Sequence, residues 1–178
     1  DIDLTPNRGD CLGIKGVAFE VGVLTQTQVT PIKVKPAPVS IDDKVQIKLN
    51  APAANPRFAA RIIKGVDIKA ETPEWMKARL LASDIRSIDP IVDVTNYVML
   101  ELGHPMHAFD LKNLEGAIDV RYALKDEKLT LLNDQELTLQ PETLVVADDK
   151  KALSIAGIMG GKFSGINEDT QDLLLEAA

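Results

Sequence analysis

The sequence predicts an α+β fold, with helices in the first half packed on a largely antiparallel β-sheet in the second half. In the first half, apolar residues recur at i, i+3, i+4 and i+7, the pattern of one-sided helices. Beyond Gly116 the period shifts from helical to alternating, and the alternating runs are joined by short polar turns. Helices first and strands afterwards favour this class over repeating α/β units.

Asp1 to Asp10 reads as a polar loop. Asn7 or Asp10 can cap a helix running to about Leu24, with Ile14, Val17, Ala18, Val21 and Leu24 as its apolar positions. Gly13, Gly16 and Gly22 weaken that helix, so it needs a partner surface. Pro31, Pro36 and Pro38 make the next stretch extended. Val45 to Leu49 alternates as a strand, and Phe58 to Val66 reads as a less regular one. Thr72-Pro73-Glu74 opens a second helix through about Ala82, with a capping Thr, Pro at the first position and an acid in the first turn.

The stretch from Ile88 to Asp110 organises the rest. Ser87 or Asp89 caps a third helix, and Pro90 fits its first turn, where a missing donor costs nothing. Val92, Asn96, Met99 and Leu100 follow at helical spacing, Gly103 stops the helix and Pro105 prevents its resumption. Both histidines of the chain, His104 and His107, come next, beside Phe109 and Asp110. A polar amide on an apolar helix face, followed by a compact His-bearing loop, reads as the wall of a pocket. Ile118, Val120 and Tyr122 then alternate as a strand. Asn133-Asp134 turns a hairpin between Leu129/Leu131 and Leu137/Leu139, and Asp148-Asp149-Lys150 turns a second between Leu144–Ala147 and Ala152–Ile155.

A length of 178 residues suits one domain with a lesser appendage. Residues 1–50 read as an N-terminal helix and linking segment, and residues 51–178 as the α+β domain, truncated at its C-terminus. The chain starts without Met and finishes in Leu173 to Ala178, which reads as a strand cut short, so a piece of a longer protein is expected. A net charge of -7 without a basic run argues against a general nucleic-acid surface, DNA included, because such affinity comes from Lys and Arg neutralising phosphates. A role on RNA then needs a local site, with the RNA delivered by other parts. The single cysteine, Cys11, excludes an intrachain disulfide and suits a reducing, cytoplasmic compartment. No signal peptide or membrane-spanning apolar run is evident.

Four features carry possible chemistry. His104 and His107 with Glu101 and Asp110 have too few soft ligands and unsuitable geometry for a metal site, so no metal is expected. His107 reads either as a proton carrier in a pocket or as a histidine packed beside Phe109. Ala156 to Gly165 invites a phosphate-loop reading, which fails because Ala156 stands in place of the first Gly and Phe163 in place of the Ser or Thr. A turn between strands remains, or a wall of backbone N–H groups, which the several glycines after a strand favour. Glu176, a carboxylate inside an apolar strand, is either half of an ion pair or a functional acceptor.

Asp3-Leu4-Thr5-Pro6-Asn7-Arg8-Gly9-Asp10-Cys11-Leu12, Asp93 to Asp110, and Gly157-Ile158-Met159-Gly160-Gly161 together resemble the beta subunit of bacterial phenylalanyl-tRNA synthetase, in particular its tRNA-editing domain. The resemblance implies an alpha-beta heterotetramer that attaches phenylalanine to tRNA(Phe) with ATP and Mg, and a region that hydrolyses tyrosyl-tRNA made in error. It implies no cofactor in this piece, with the tRNA 3′ end and the alpha subunit as partners. The family's pocket residues fall on His107 and Asn96 for the ester and water, and on Glu176 with Gly160 and Gly161 for the substrate side chain. An apolar pocket rejects an added hydroxyl only weakly, by about 100-fold, whereas a second pocket with a polar acceptor inverts the preference. Two other classes stay open. One is a free-standing aminoacyl-tRNA deacylase. The other is a non-catalytic module that positions tRNA or supports assembly, for which the space near His107 should be filled by side chains.

Overall fold

The computed structural model describes residues 2–178, and Asp1, the first residue of the expected polar loop, lies outside them. Among the described residues three helices, α1 (Ile14–Thr25), α2 (Glu74–Leu81) and α3 (Pro90–Leu102), come early in the chain, the third starting at its midpoint. Ten strands follow the chain: β1 (Ile47–Leu49), β2 (Ala59–Ile63), β3 (His107–Asp110), β4 (Ile118–Tyr122), β5 (Lys128–Thr130), β6 (Glu136–Thr138), β7 (Leu144–Ala147), β8 (Ala152–Ile155), β9 (Met159–Gly160) and β10 (Leu173–Ala177). The α+β class holds, with helices early, strands mostly late and pairing largely antiparallel.

The strands form more than the one sheet expected. A five-stranded sheet runs β1-β4-β7-β8-β9, a three-stranded sheet runs β2-β10-β3, and β5-β6 form a hairpin. Among the described residues only β1 and β4 pair in parallel. The five-stranded sheet is covered on both faces. Val146, Ile118 and Leu153 point towards Phe109 and Leu174 of the three-stranded sheet, while Val145, Ala147 and Ile155 meet Leu129 and Leu139 around the hairpin. Successive residues of β7 therefore enter different cores, as a period of two requires, which explains why β7 and β8 read as continuous apolar runs. β1 and β2 come from the first half of the sequence yet close the edges of these sheets, so the sheet layer is not confined to the second half.

Helix packing also departs from expectation. The helices meet chiefly one another, α3 touching both α1 and α2, and reach the strands where α3 runs on towards β3. Neither Asn7 nor Asp10 caps α1: Gly9–Cys11 forms a turn of 3-10 helix, and Gly13 occupies the cap position without a side-chain hydrogen bond. Gly16 fits against this turn, where a Cβ would sit 1.7 Å from the Asp10 carbonyl oxygen. Close approach, rather than helix weakness, accounts for that glycine. Pro73 occupies the cap position of α2, and Thr72 spends its hydroxyl on Asp93 instead. At α3 the expected devices appear: Asp89 accepts from the N–H groups of Ile91 and Val92, Pro90 opens the helix, and Gly103 closes it at φ 76°. Ser87, the alternative cap, donates to Asp93.

Candidate active site

α3 ends at Gly103 and the chain reverses through His104-Pro105-Met106 into β3, whose first residue is His107. β3 lies beside β10 in antiparallel register, and Glu176 is the direct partner of His107. Directly opposed residues share one sheet face with Cβ atoms about 5 Å apart, so the imidazole and the carboxyl are held side by side by backbone pairing alone. Beneath the imidazole lies Phe109, two residues along the same face, in an edge-on contact with ring centroids 4.6 Å apart.

Gly160 closes the group from the other sheet. A Cβ added there would stand 2.6 Å from His107 Cε1 and 3.0 Å from its Nε2. No side chain fits between β9 and the imidazole, so the absence of one at residue 160 is a geometric requirement. His107, Glu176 and Gly160 line a cavity of about 190 Å³, together with Met106, Ser154 and Met159. Two polar atoms here are buried without a hydrogen-bond partner among the described residues, His107 Nε2 and Glu176 Oε2. Burial pushes the His107 imidazole below its ordinary 6.5, and it pushes the Glu176 carboxyl up to about 7. The pair is thus a largely neutral base beside an acid that titrates near neutrality, each with unused hydrogen-bonding capacity facing a small cavity. Such a constellation can hold a hydroxyl-bearing guest and a water molecule together.

Asn96 and Gly161 are not brought into this cavity. Asn96 sits half-buried on α3, seven residues before Gly103, which is about 10 Å of helix rise. Gly161 follows Gly160 and faces the other way: its Cβ would meet the Leu153 carbonyl oxygen at 2.4 Å, and it lines a different cavity with Leu129 and Phe163. Ser154 is the residue that sequence reasoning passed over. It is directly opposite Gly160 in the β8–β9 pairing and is 6% exposed. The signal was the one that singled out Glu176, a polar residue in an apolar strand.

The two histidines do not converge. His104 is exposed and opens onto a separate cavity with Arg57 and Asn55. A further cluster, Asp10, Cys11 and Glu20, has ligand-like spacing. Its centre is taken by the Arg8 guanidinium, 2.9 Å from Asp10, 2.7 Å from Glu20 and 3.1 Å from Cys11 Sγ. That cluster is an arginine-tied joint around α1.

Residues 54–178, which include every residue lining the His107 cavity, match the family model of the B3/4 domain. The chain belongs to the B3/4 domain family. Along its whole length this B3/4 chain is 57% identical to a phenylalanine–tRNA ligase beta subunit of Idiomarina loihiensis and 56% identical to those of Colwellia psychrerythraea and Vibrio parahaemolyticus. It spans 22% of the length of each of these relatives. Its fold is similar to the crystal structure of an N-terminal fragment of the phenylalanyl-tRNA synthetase beta subunit from Pyrococcus horikoshii, with a TM-score of 0.61 at 17% identity over 96% of this chain and 52% of that one. No described helix of the B3/4 chain is long and apolar enough to cross a membrane.

Proposed function

We propose that this chain is the proofreading part of a phenylalanine–tRNA ligase beta subunit and hydrolyses tyrosyl-tRNA(Phe). The observation that carries the reading is the unpaired Glu176 carboxyl, registered beside the unpaired His107 imidazole over Gly160. Glu176 accepts from the tyrosyl phenol. Phenylalanine, lacking that hydroxyl, leaves the buried carboxyl unsatisfied and binds poorly, which reverses the weak preference of an apolar pocket. Backbone groups at Gly160 close the far side of the guest. His107 Nε2, held in the neutral form by burial, accepts a proton from the water that attacks the ester carbonyl, and the tRNA hydroxyl departs with a proton. Asn96, which does not line the cavity, is given no step in this scheme.

The open space beside His107 favours this reading over a purely structural module, which would fill it. The acidic chain supplies a local site, while the rest of the ligase, the alpha subunit included, holds the tRNA body; ATP and Mg serve synthesis elsewhere in that assembly. The test is deacylation of tyrosyl-tRNA and phenylalanyl-tRNA by the assembled ligase. Glu176→Ala lowers the tyrosyl rate by about 100-fold and raises the phenylalanyl rate, because no buried carboxyl is then left unsatisfied. If Glu176→Ala and His107→Ala both leave tyrosyl-tRNA hydrolysis intact, the assignment is overturned.

A further inference from the structure

We infer that the groove between the β5–β6 hairpin and β8 holds a backbone phosphate of the acylated RNA, upstream of its ester end, with Lys128 and Lys151 on the phosphate and Phe163 under an adjoining base. This rests on the editing reading, which makes an acylated RNA the guest, and adds a contact on the far side of β9. β9 is the edge strand of its sheet. Gly160, its last residue, faces the imidazole, whereas Gly161, the next, lines the groove. An RNA whose ester reaches His107 meets the groove where it crosses this edge. The groove encloses about 150 Å³ over the buried Leu129 and Ala152. Sites that enclose a whole small molecule run to roughly 300–1,000 Å³. A space of about five waters suits a single anionic group, with the rest of the guest lying outside.

The glycine loop does not supply the charge through its main chain. The Gly161 N–H donates to the Leu153 carbonyl at 2.8 Å and the Lys162 N–H to the Thr130 carbonyl at 2.9 Å, so neither faces a guest. Side chains supply it instead. Lys128, on β5, and Lys151, just before β8, are exposed and make no ion pair among the described residues. Lys162 is spent on Asp134, and Arg121 on Glu127. The turn that carries Lys151 is fixed by Asp148, whose carboxylate accepts the Lys150 and Lys151 N–H groups at 2.8 Å each. Glu136 is the one carboxylate among the lining residues, so the groove is net positive in a chain of net charge -7. Its complement is an anion. Phe163 lines the same groove and is 67% exposed. Free ammonium groups beside an exposed ring fit single-stranded RNA, in which lysines follow phosphates while bases stack on aromatic rings. An acidic peptide would use the lysines and leave the ring without a stacking partner.

The test is steady-state hydrolysis of tyrosyl-tRNA by the assembled ligase over a series of salt concentrations. The double variant Lys128→Ala, Lys151→Ala raises KM about tenfold with kcat within about twofold, as expected for the loss of one charge-assisted phosphate contact. The slope of log KM against log salt falls by about 0.7, the share of one phosphate on a single strand. Lys128→Arg with Lys151→Arg keeps both values near wild type. Phe163→Ala raises KM at least about fivefold and leaves the slope unchanged, because stacking releases no counterion. If KM and slope are unmoved in the double alanine variant while Glu176→Ala still loses hydrolysis, the groove is overturned and the editing reading stands. If the wild-type ligase does not hydrolyse tyrosyl-tRNA, both fall. If the double variant leaves KM unmoved and instead dissociates the subunits in size-exclusion chromatography, the groove holds an acidic protein segment and the RNA contact is overturned.

Discussion

Two buried carboxylates of this chain are treated in opposite ways. Asp93 is fully buried and accepts from the Thr72 hydroxyl at 2.5 Å, the Ser87 hydroxyl at 2.5 Å and the Ile88 N–H at 3.0 Å. Burial alone would raise its pKa, but these hydrogen bonds outweigh burial and hold it below the ordinary 3.8. Glu176 has burial without the hydrogen bonds, and its carboxyl rises to about 7. The first carboxylate ties the segments that lead into α2 and α3. The second leaves its capacity facing a cavity. Burial of a charge is therefore common to a tied structural carboxylate and to a candidate site; unspent hydrogen-bonding capacity is what separates the two.

The contrast can be broken by exchanging what each carboxylate does. The largest effect is expected at the unsatisfied site and on activity alone. His107→Ala lowers tyrosyl-tRNA hydrolysis by about 10²–10⁴-fold, the range of a lost general base, with the melting temperature unchanged or higher. A matching fall in melting temperature would mean that the imidazole is a packing residue. Asp93→Ala does the reverse. It strands two hydroxyls and an N–H, destabilises by roughly 3 kcal/mol and lowers the melting temperature by on the order of 6–12 °C. Urea unfolding measures the first quantity and calorimetry the second.

Smaller effects sharpen the comparison. Gly160→Ala drives a methyl into the imidazole, and overpacking of this kind costs about 1–3 kcal/mol. Hydrolysis should fall while circular dichroism shows an intact fold. Glu176→Gln removes a group whose folded-state pKa lies above its unfolded value of 4.5. The stabilising contribution of the protonated carboxyl is complete below that value and is lost as pH rises through about 7. The variant should therefore melt a few degrees above wild type at about pH 8 and level with it at about pH 4. Equal melting curves at both pH values would show that Glu176 is solvated. The smallest effect is on selectivity. The ratio of tyrosyl to phenylalanyl hydrolysis should rise as pH passes through about 7, because the ionised carboxyl accepts the phenol hydrogen bond more strongly.

Much of this was legible locally. The devices that bound α3 are contained within Asp89 to Gly103, and the hairpin β7–β8 follows from two apolar runs around Asp148-Asp149-Lys150. His107 and Glu176 stood out by residue type, one as the neutral-pH titrating side chain and the other as an acid among leucines. The caps of α1 and α2 were misread because Thr72 and Asp10 are used by distant or differently folded partners, which no local pattern records. The resemblance implies Asn96 and Gly161 at the pocket; neither lines the His107 cavity, and Gly161 lines a different one.

By itself the sequence determined the order of elements, because period, caps and turn residues act over a few positions. It also determined which residues are chemically unusual. Only the tertiary structure decided that residue 107 stands in register with residue 176, that a side chain at residue 160 would strike the imidazole, and that Asp93 is satisfied while Glu176 is not. Strand pairing joins residues nearly seventy positions apart with a period of two, so a slip of one residue would have turned His107 away from Glu176 and left no site at all.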